Sequence, residues 1–93
     1  MNFDWDEAKA AANLEKHGIS FEEAQTTFKD CNALRIYDPD HSDDEERFVL
    51  LGLSAALHML VVCHCYREND ERIRIISARK ATKKESATYE KRK

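Results

Sequence analysis

Two short stretches hold the residue types best suited to chemistry. In "RIRIISARK", residues 72–80, Arg72 and Arg74 alternate with Ile73 and Ile75, and Ser77, Arg79 and Lys80 follow. Period two in a strand places the isoleucines on one face and the arginines on the other. A guanidinium donates two parallel hydrogen bonds to a phosphate, so converging arginines suit a polyanion. Arg35 and Arg47, on other predicted strands, are candidates to project to the same face. Taken singly, each arginine also fits an ordinary surface position. The second stretch is "EKHGIS". His17 ends a predicted helix, and an imidazole titrates near neutrality, which suits a general acid or base. The same position also serves a histidine that interacts with the helix dipole.

Other polar groups offer less. Cys63-His64-Cys65 has the residue types of a metal site, but a strand turns the histidine away from the cysteine pair. No C-x-x-C spacing is present, and the one H-x5-H pair, His58 and His64, has no cysteine pair at zinc-site spacing beside it. There is no glycine-rich phosphate loop and no G-x-S-x-G, so the residues point to no metal and no cofactor. His58 and His64, six apart on one predicted strand, read as buried strand histidines, with RNA contact as the other option. Trp5, Tyr37, Tyr66 and Tyr89 are able to stack on bases, although Trp5 at a helix start reads more simply as a core anchor.

The charge is polarised. The 93 residues carry a formal charge of -3. From Arg72 onward there are nine Lys/Arg against two Glu, a surplus of seven that leaves -10 on residues 1–71. A basic segment this dense points to a polyanion partner, or to a solvated C-terminal helix or an acidic protein contact. The 42% hydrophobic and 35% charged composition fits one globular domain, 1–93, with a single modest core. The longest apolar run, 57–65, is too short to span a membrane. The acidic N-terminus does not resemble a signal peptide. Three cysteines with no evident pairing suggest reduced thiols and a cytoplasmic protein.

Local signals set the elements that must position these groups. Asp4 and Glu7 have capping-box spacing, with Phe3 and Ala8 at the staple positions, so a helix is expected to about Lys16. Lys9, Asn13, Lys16 and His17 share one side of it, and Gly18 stops it. Ser20 with Glu23 opens a second helix with Phe21, Ala24 and Phe28 on its apolar face. Strands are expected at 34–37, 47–54, 57–67 and 72–78, with turns at Asp38-Pro39-Asp40 and Glu68-Asn69-Asp70 and a solvated acidic run from Asp38 to Glu46. Thr82 with Glu85 caps a last helix to about Lys91. The expected class is α+β: a short first strand, two N-terminal helices, an antiparallel sheet of three to four strands, a C-terminal helix, and the helices on one sheet face.

Three segments together, "FDWDEAKAAANLEKHGISFEEA", "EERFVLLGLS" and "IRIISARKATKKESATYEK", resemble the BrnT family of type II toxins over nearly the whole chain. The resemblance implies a RelE-like fold and an endoribonuclease that inhibits translation by RNA cleavage. It also implies a BrnA-type ribbon-helix-helix antitoxin, through which the complex would reach operator DNA, and no membrane association. Matching positions include Lys9, Lys16, His17, Arg47, Arg72, Arg74, Arg79, Lys80, Glu85 and Tyr89. On this reading His17 or Lys16 moves protons, and Arg47, Arg72, Arg74 and Arg79 hold the phosphate. Tyr89 stacks a base or orients an arginine, and Glu85 pairs with an arginine. Lys9, Arg35, Lys80, Lys83 and Lys84 contact RNA. A non-catalytic RNA- or protein-binding regulatory module of the same fold is the alternative.

Overall fold

The computed structural model describes residues 2–41, 45–69 and 71–92. Part of the acidic run, Asp43 and Asp44, and Asp70 of the expected turn lie outside them. In chain order the elements are β1 (Asn2–Asp4), α1 (Glu7–His17), α2 (Phe21–Thr26), β2 (Leu34–Asp38), β3 (Arg47–Leu53), β4 (Met59–Arg67), β5 (Arg72–Lys80) and α3 (Lys83–Arg92). One sheet runs β1-β5-β4-β3-β2. The meander β2 to β5 is antiparallel as expected, but β1 adds a fifth strand, parallel to β5. Among the described residues, no helix is long and apolar enough to cross a membrane.

The extra strand explains the one misplaced cap. Asp4 lies in β1 beside Arg74, and its carboxylate faces Arg72 and Arg74 rather than the helix. Asp6 caps α1 instead, accepting from the amides of Ala8 (2.8 Å) and Lys9 (3.1 Å). Those bonds hold the Asp6 carboxyl below its ordinary pKa. The expected staple is also absent: Ala8 is exposed and Phe3 packs edge-on against Phe28, 5.2 Å between centroids. The later caps form as expected. Ser20 Oγ accepts from the Glu23 amide at 3.0 Å, and Thr82 and Glu85 exchange reciprocal bonds. Gly18 ends α1 at φ 71°, where a Cβ would be strained.

α1 and α2 cover one sheet face. Ile19, Phe21, Ala24, Leu50, Leu60, Val62, Ile75 and Ala78 form its core, with Trp5 and Phe28 packed against them. Each large side chain fully buried here contributes roughly 1.5–3 kcal/mol. α3 does not join them. It crosses the opposite face, where Tyr89 packs with Leu51 and Val61, so the helices form two layers rather than one. The physical reason is that β3 and β4 are apolar on both faces, leaving Val49, Leu51, Met59 and Val61 for a second cover. Asp30 fastens that cover, accepting from Tyr89 Oη (2.8 Å) and the Leu53 amide (2.9 Å).

The two histidines differ. His58 precedes β4 in the hairpin turn, and its Nδ1 lies 2.7 Å from Glu23, which also accepts from Ser54 Oγ. This network has the residue types of a hydrolytic triad, but serine and imidazole share one carboxylate oxygen, so it pins the hairpin to α2. His64 is fully buried among Phe28, Phe48 and Tyr66 and donates through Nδ1 to the Val62 carbonyl. Burial pushes its pKa from 6.5 down to about 4, so the native ring is neutral while an unfolded one would protonate. Stability is therefore full above pH 6.5 and lost as the pH falls toward 4. Melting at pH 7.5 and pH 5 is expected to show a loss of about 2 kcal/mol by linkage. In His64→Phe most of that pH dependence is expected to vanish; an unchanged slope would contradict the buried neutral ring.

Candidate active site

β5 is the axis of the site, and its geometry departs from simple alternation. Its ladder with β4 shifts between Cys63, opposite Ser77, and His64, opposite Ile75, leaving Ile76 as the extra residue of a bulge. Ile73, Ile75 and Ala78 are each 1% exposed on the α1/α2 side. Arg72, Arg74, Ser77 and Arg79 take the other face, the one α3 partly covers. The signal in the sequence is the doubled Ile75-Ile76, which breaks period two.

The outward face carries cross-strand rows of side chains. Arg74, Cys65, Arg47 and Asp38 stand opposite one another in one row, Ser77, Cys63 and Val49 in the next, and Arg79, Val61 and Leu51 in the third. A depression of about 280 Å³ opens between them, lined by Asp38, Arg47, Val49, Cys63, Ser77 and Arg79 among others. A second, of about 230 Å³, lies at the α1 edge of β5, lined by Lys9, Ala12, Asn13, Lys16, His17, Ile76 and Ser77. The two share Ile76 and Ser77, so the helix cations and the sheet cations border adjoining hollows.

Asn13 holds that arrangement together. Its amide donates to the carbonyls of Ile19 (2.9 Å) and Ala78 (2.8 Å), and its Oδ1 accepts from the Ala78 amide (3.1 Å). The side chain thus acts as a missing neighbour strand for β5, beyond the reach of the three-residue β1. It fixes the helix face bearing Lys9, Lys16 and His17 against Ile76 and Ser77. As a residue on the same helix side it was visible in sequence, but its buried partner 65 positions away was not.

The remaining candidates divide. Arg79 donates to both carboxylate oxygens of Glu85 at 2.9 Å, and again to the Lys80 carbonyl. This pairing holds the Glu85 carboxyl down at about 2 and raises the Arg79 pKa. Arg74 lies 3.1 Å from Asp4, and Arg72 lies 3.7 Å from Asp4 and 3.3 Å from Glu68, so both fasten β1 to the sheet and Arg72 also holds the β4–β5 turn. Tyr89 is 3% exposed and gives its hydroxyl to Asp30; burial first, then that carboxylate, push its pKa up to about 12. Its ring is packed in the α3 layer, with no face open for a base. Arg35 projects to the α1/α2 side, contrary to the expected convergence: it donates to Tyr66 Oη (2.9 Å) and lies over the Phe48 and Tyr66 rings. Lys80 is exposed opposite Leu60 on that same side, and Lys83 and Lys84 are exposed at the start of α3. Cys63 and Cys65 point the same way and are free, and burial raises both thiol pKa values.

No curated protein is matched. Among solved structures, the 1.1 Å crystal structure of the Brucella abortus ribonuclease toxin BrnT is similar, with a TM-score of 0.67 and 26% identity. The match covers 89% of this chain and 99% of that one. A family model described as the BrnT ribonuclease toxin of type II toxin–antitoxin systems matches residues 5–85, which include the helix cations, the bulge and Arg79. The chain belongs to the BrnT family of ribonuclease toxins of type II toxin–antitoxin systems.

Proposed function

We propose that this chain is a cytoplasmic, metal-independent endoribonuclease that inhibits translation by cutting RNA across the β5 bulge. The observation that carries this reading is the meeting of Lys9, Lys16 and His17 with Arg47 and Arg79 on either side of Ile76 and Ser77. Cleavage without a metal requires three things: a base for the ribose 2′-hydroxyl, an acid for the departing 5′-oxygen, and cations for the charge that develops on phosphorus. His17, half-buried on the α1 side, takes the proton-transfer role, with Lys16 beside it. Arg47 and Arg79 hold the phosphate from the sheet side. The 2′-oxygen forms a bond to phosphorus as the bond from phosphorus to the 5′-oxygen breaks, leaving a 2′,3′-cyclic phosphate and a 5′-hydroxyl.

Arg74 adds positive charge in the same row as Arg47, while Arg72 is assigned to holding the β1 edge. Lys9, Lys83 and Lys84 attract flanking phosphates, a contribution that weakens as salt rises. A BrnA-type ribbon-helix-helix antitoxin neutralises the toxin by covering this basic face, and the complex reaches operator DNA through it. Digestion of total RNA by the purified chain in excess EDTA tests the reading. Fragmentation by the wild type and none by a folded His17→Ala variant are expected. RNA binding without fragmentation would favour the non-catalytic module.

A further inference from the structure

The bulge at Ile76 changes which residues of β5 face outward. Had alternation continued from Ile73 and Ile75, Ser77 and Arg79 would follow them into the core, and Ala78 would point out. The extra residue reverses this: Ala78 is buried at 1% exposure, and Ser77 and Arg79 line the outer depression. Arg79 has a visible use there, in the Glu85 clamp and beside the phosphate site. The visible use of Ser77 is a hydrogen bond with the Cys63 thiol. It stands opposite Cys63, whose thiol is only a weak hydrogen-bond partner. It is also, with Ile76, common to both hollows. Bulges re-aim side chains beside active sites, and this one aims a hydroxyl at the seam between two sets of cations.

We propose that Ser77 is a further catalytic residue of this site, whose Oγ–H donates a hydrogen bond to a non-bridging oxygen of the scissile phosphate. The inference rests on the RNA-cleavage reading above. During the step the 2′-hydroxyl proton passes to the general base and the 5′-oxygen receives one from the general acid. Ser77 keeps its own proton and forms no covalent bond; it stabilises the charge that builds on the phosphoryl oxygen. The neighbouring Ile76 gives the ribose an apolar surface at the same seam.

The test is single-turnover cleavage of a labelled single-stranded transcript by Ser77→Ala, Ser77→Val and Ser77→Thr. Loss of one such donor is expected to slow the cleavage step about 100-fold. The half-saturating RNA concentration and the melting temperature stay near wild type. Thr and Val have the same shape and both suit a strand, so only the hydroxyl separates them: Ser77→Thr recovers most of the rate and Ser77→Val does not. Equal rates for the Thr and Val variants would overturn the assignment, as would wild-type rates in Ser77→Ala alongside an inactive His17→Ala, which leaves the site itself standing. A wild-type chain that binds the transcript and leaves it whole overturns both the assignment and the reading beneath it.

Discussion

Asn13→Ala is expected to destabilise the protein strongly. The change removes three hydrogen bonds and leaves the amide and carbonyl of Ala78 and the carbonyl of Ile19 without that partner, at a side chain only 8% exposed. Buried backbone groups stripped of partners cost about 1–3 kcal/mol each, less where relaxation admits water, so a total of about 2–4 kcal/mol is expected. In a domain of this length that corresponds to a fall in melting temperature of roughly 10–25 °C. Asn13→Asp fares no better, because it keeps the acceptor for the Ala78 amide but loses both donors and buries a charge. Cleavage falls as well, since Lys9, Lys16 and His17 ride on the helix that Asn13 fastens. Thermal melting of Asn13→Ala beside Glu15→Ala, an exposed change on the same helix, checks it. Equal melting temperatures would mean that α1 is held by packing alone.

Arg79→Ala is expected to reduce RNA cleavage by about 100-fold or more, the scale on which a preorganised charge-stabilising donor acts. Arg79 already gives three N–H groups to Glu85 and Lys80. Its fork offers five, so two remain for a phosphate while Glu85 fixes the plane. The carboxylate lowers the net charge at that point but holds the donors in one orientation, which suits transition-state binding better than loose attraction. Stability should change little. The pair is 42% and 33% exposed, and such pairs contribute at most about 1 kcal/mol. Glu85 also still accepts from the Thr82 amide, so α3 keeps its cap. Arg79→Lys keeps the charge without the fork and should recover only part of the rate. Cleavage by Arg79→Ala within threefold of wild type would remove Arg79 from the chemistry and leave it as an anchor for α3.

Much of the fold was legible because local chemistry agreed with the global structure. The boxes at Ser20/Glu23 and Thr82/Glu85 and the stop at Gly18 are short-range effects, and all three are realised. A short first strand stands in the expected element order, but its parallel pairing with β5 was not legible: three residues carry no periodicity, and Asp4 has cap spacing until Arg72 and Arg74 come beside it. Which sheet face α3 would choose depended on β3 and β4 being apolar on both sides, a pattern that two-layer and three-layer packing share. In the site, period two set Arg74 outward correctly. Arg79 reaches the same face only through the bulge, and Arg35 left the expected set because pairing with β3 turns it to the α1/α2 side, where two aromatic rings receive it. His17 and the helix lysines were legible from helical spacing. Their neighbours Ile76 and Ser77 were not, since contact between α1 and the bulge depends on a buried asparagine bridging 65 positions.

The most direct test of the account is the chemistry of the cut ends. The purified wild-type chain, incubated with RNA in excess EDTA, is expected to produce fragments ending in 2′,3′-cyclic phosphate and beginning with 5′-hydroxyl. Fragments carrying 5′-phosphate and 3′-hydroxyl, or RNA left whole by a folded chain, would contradict it.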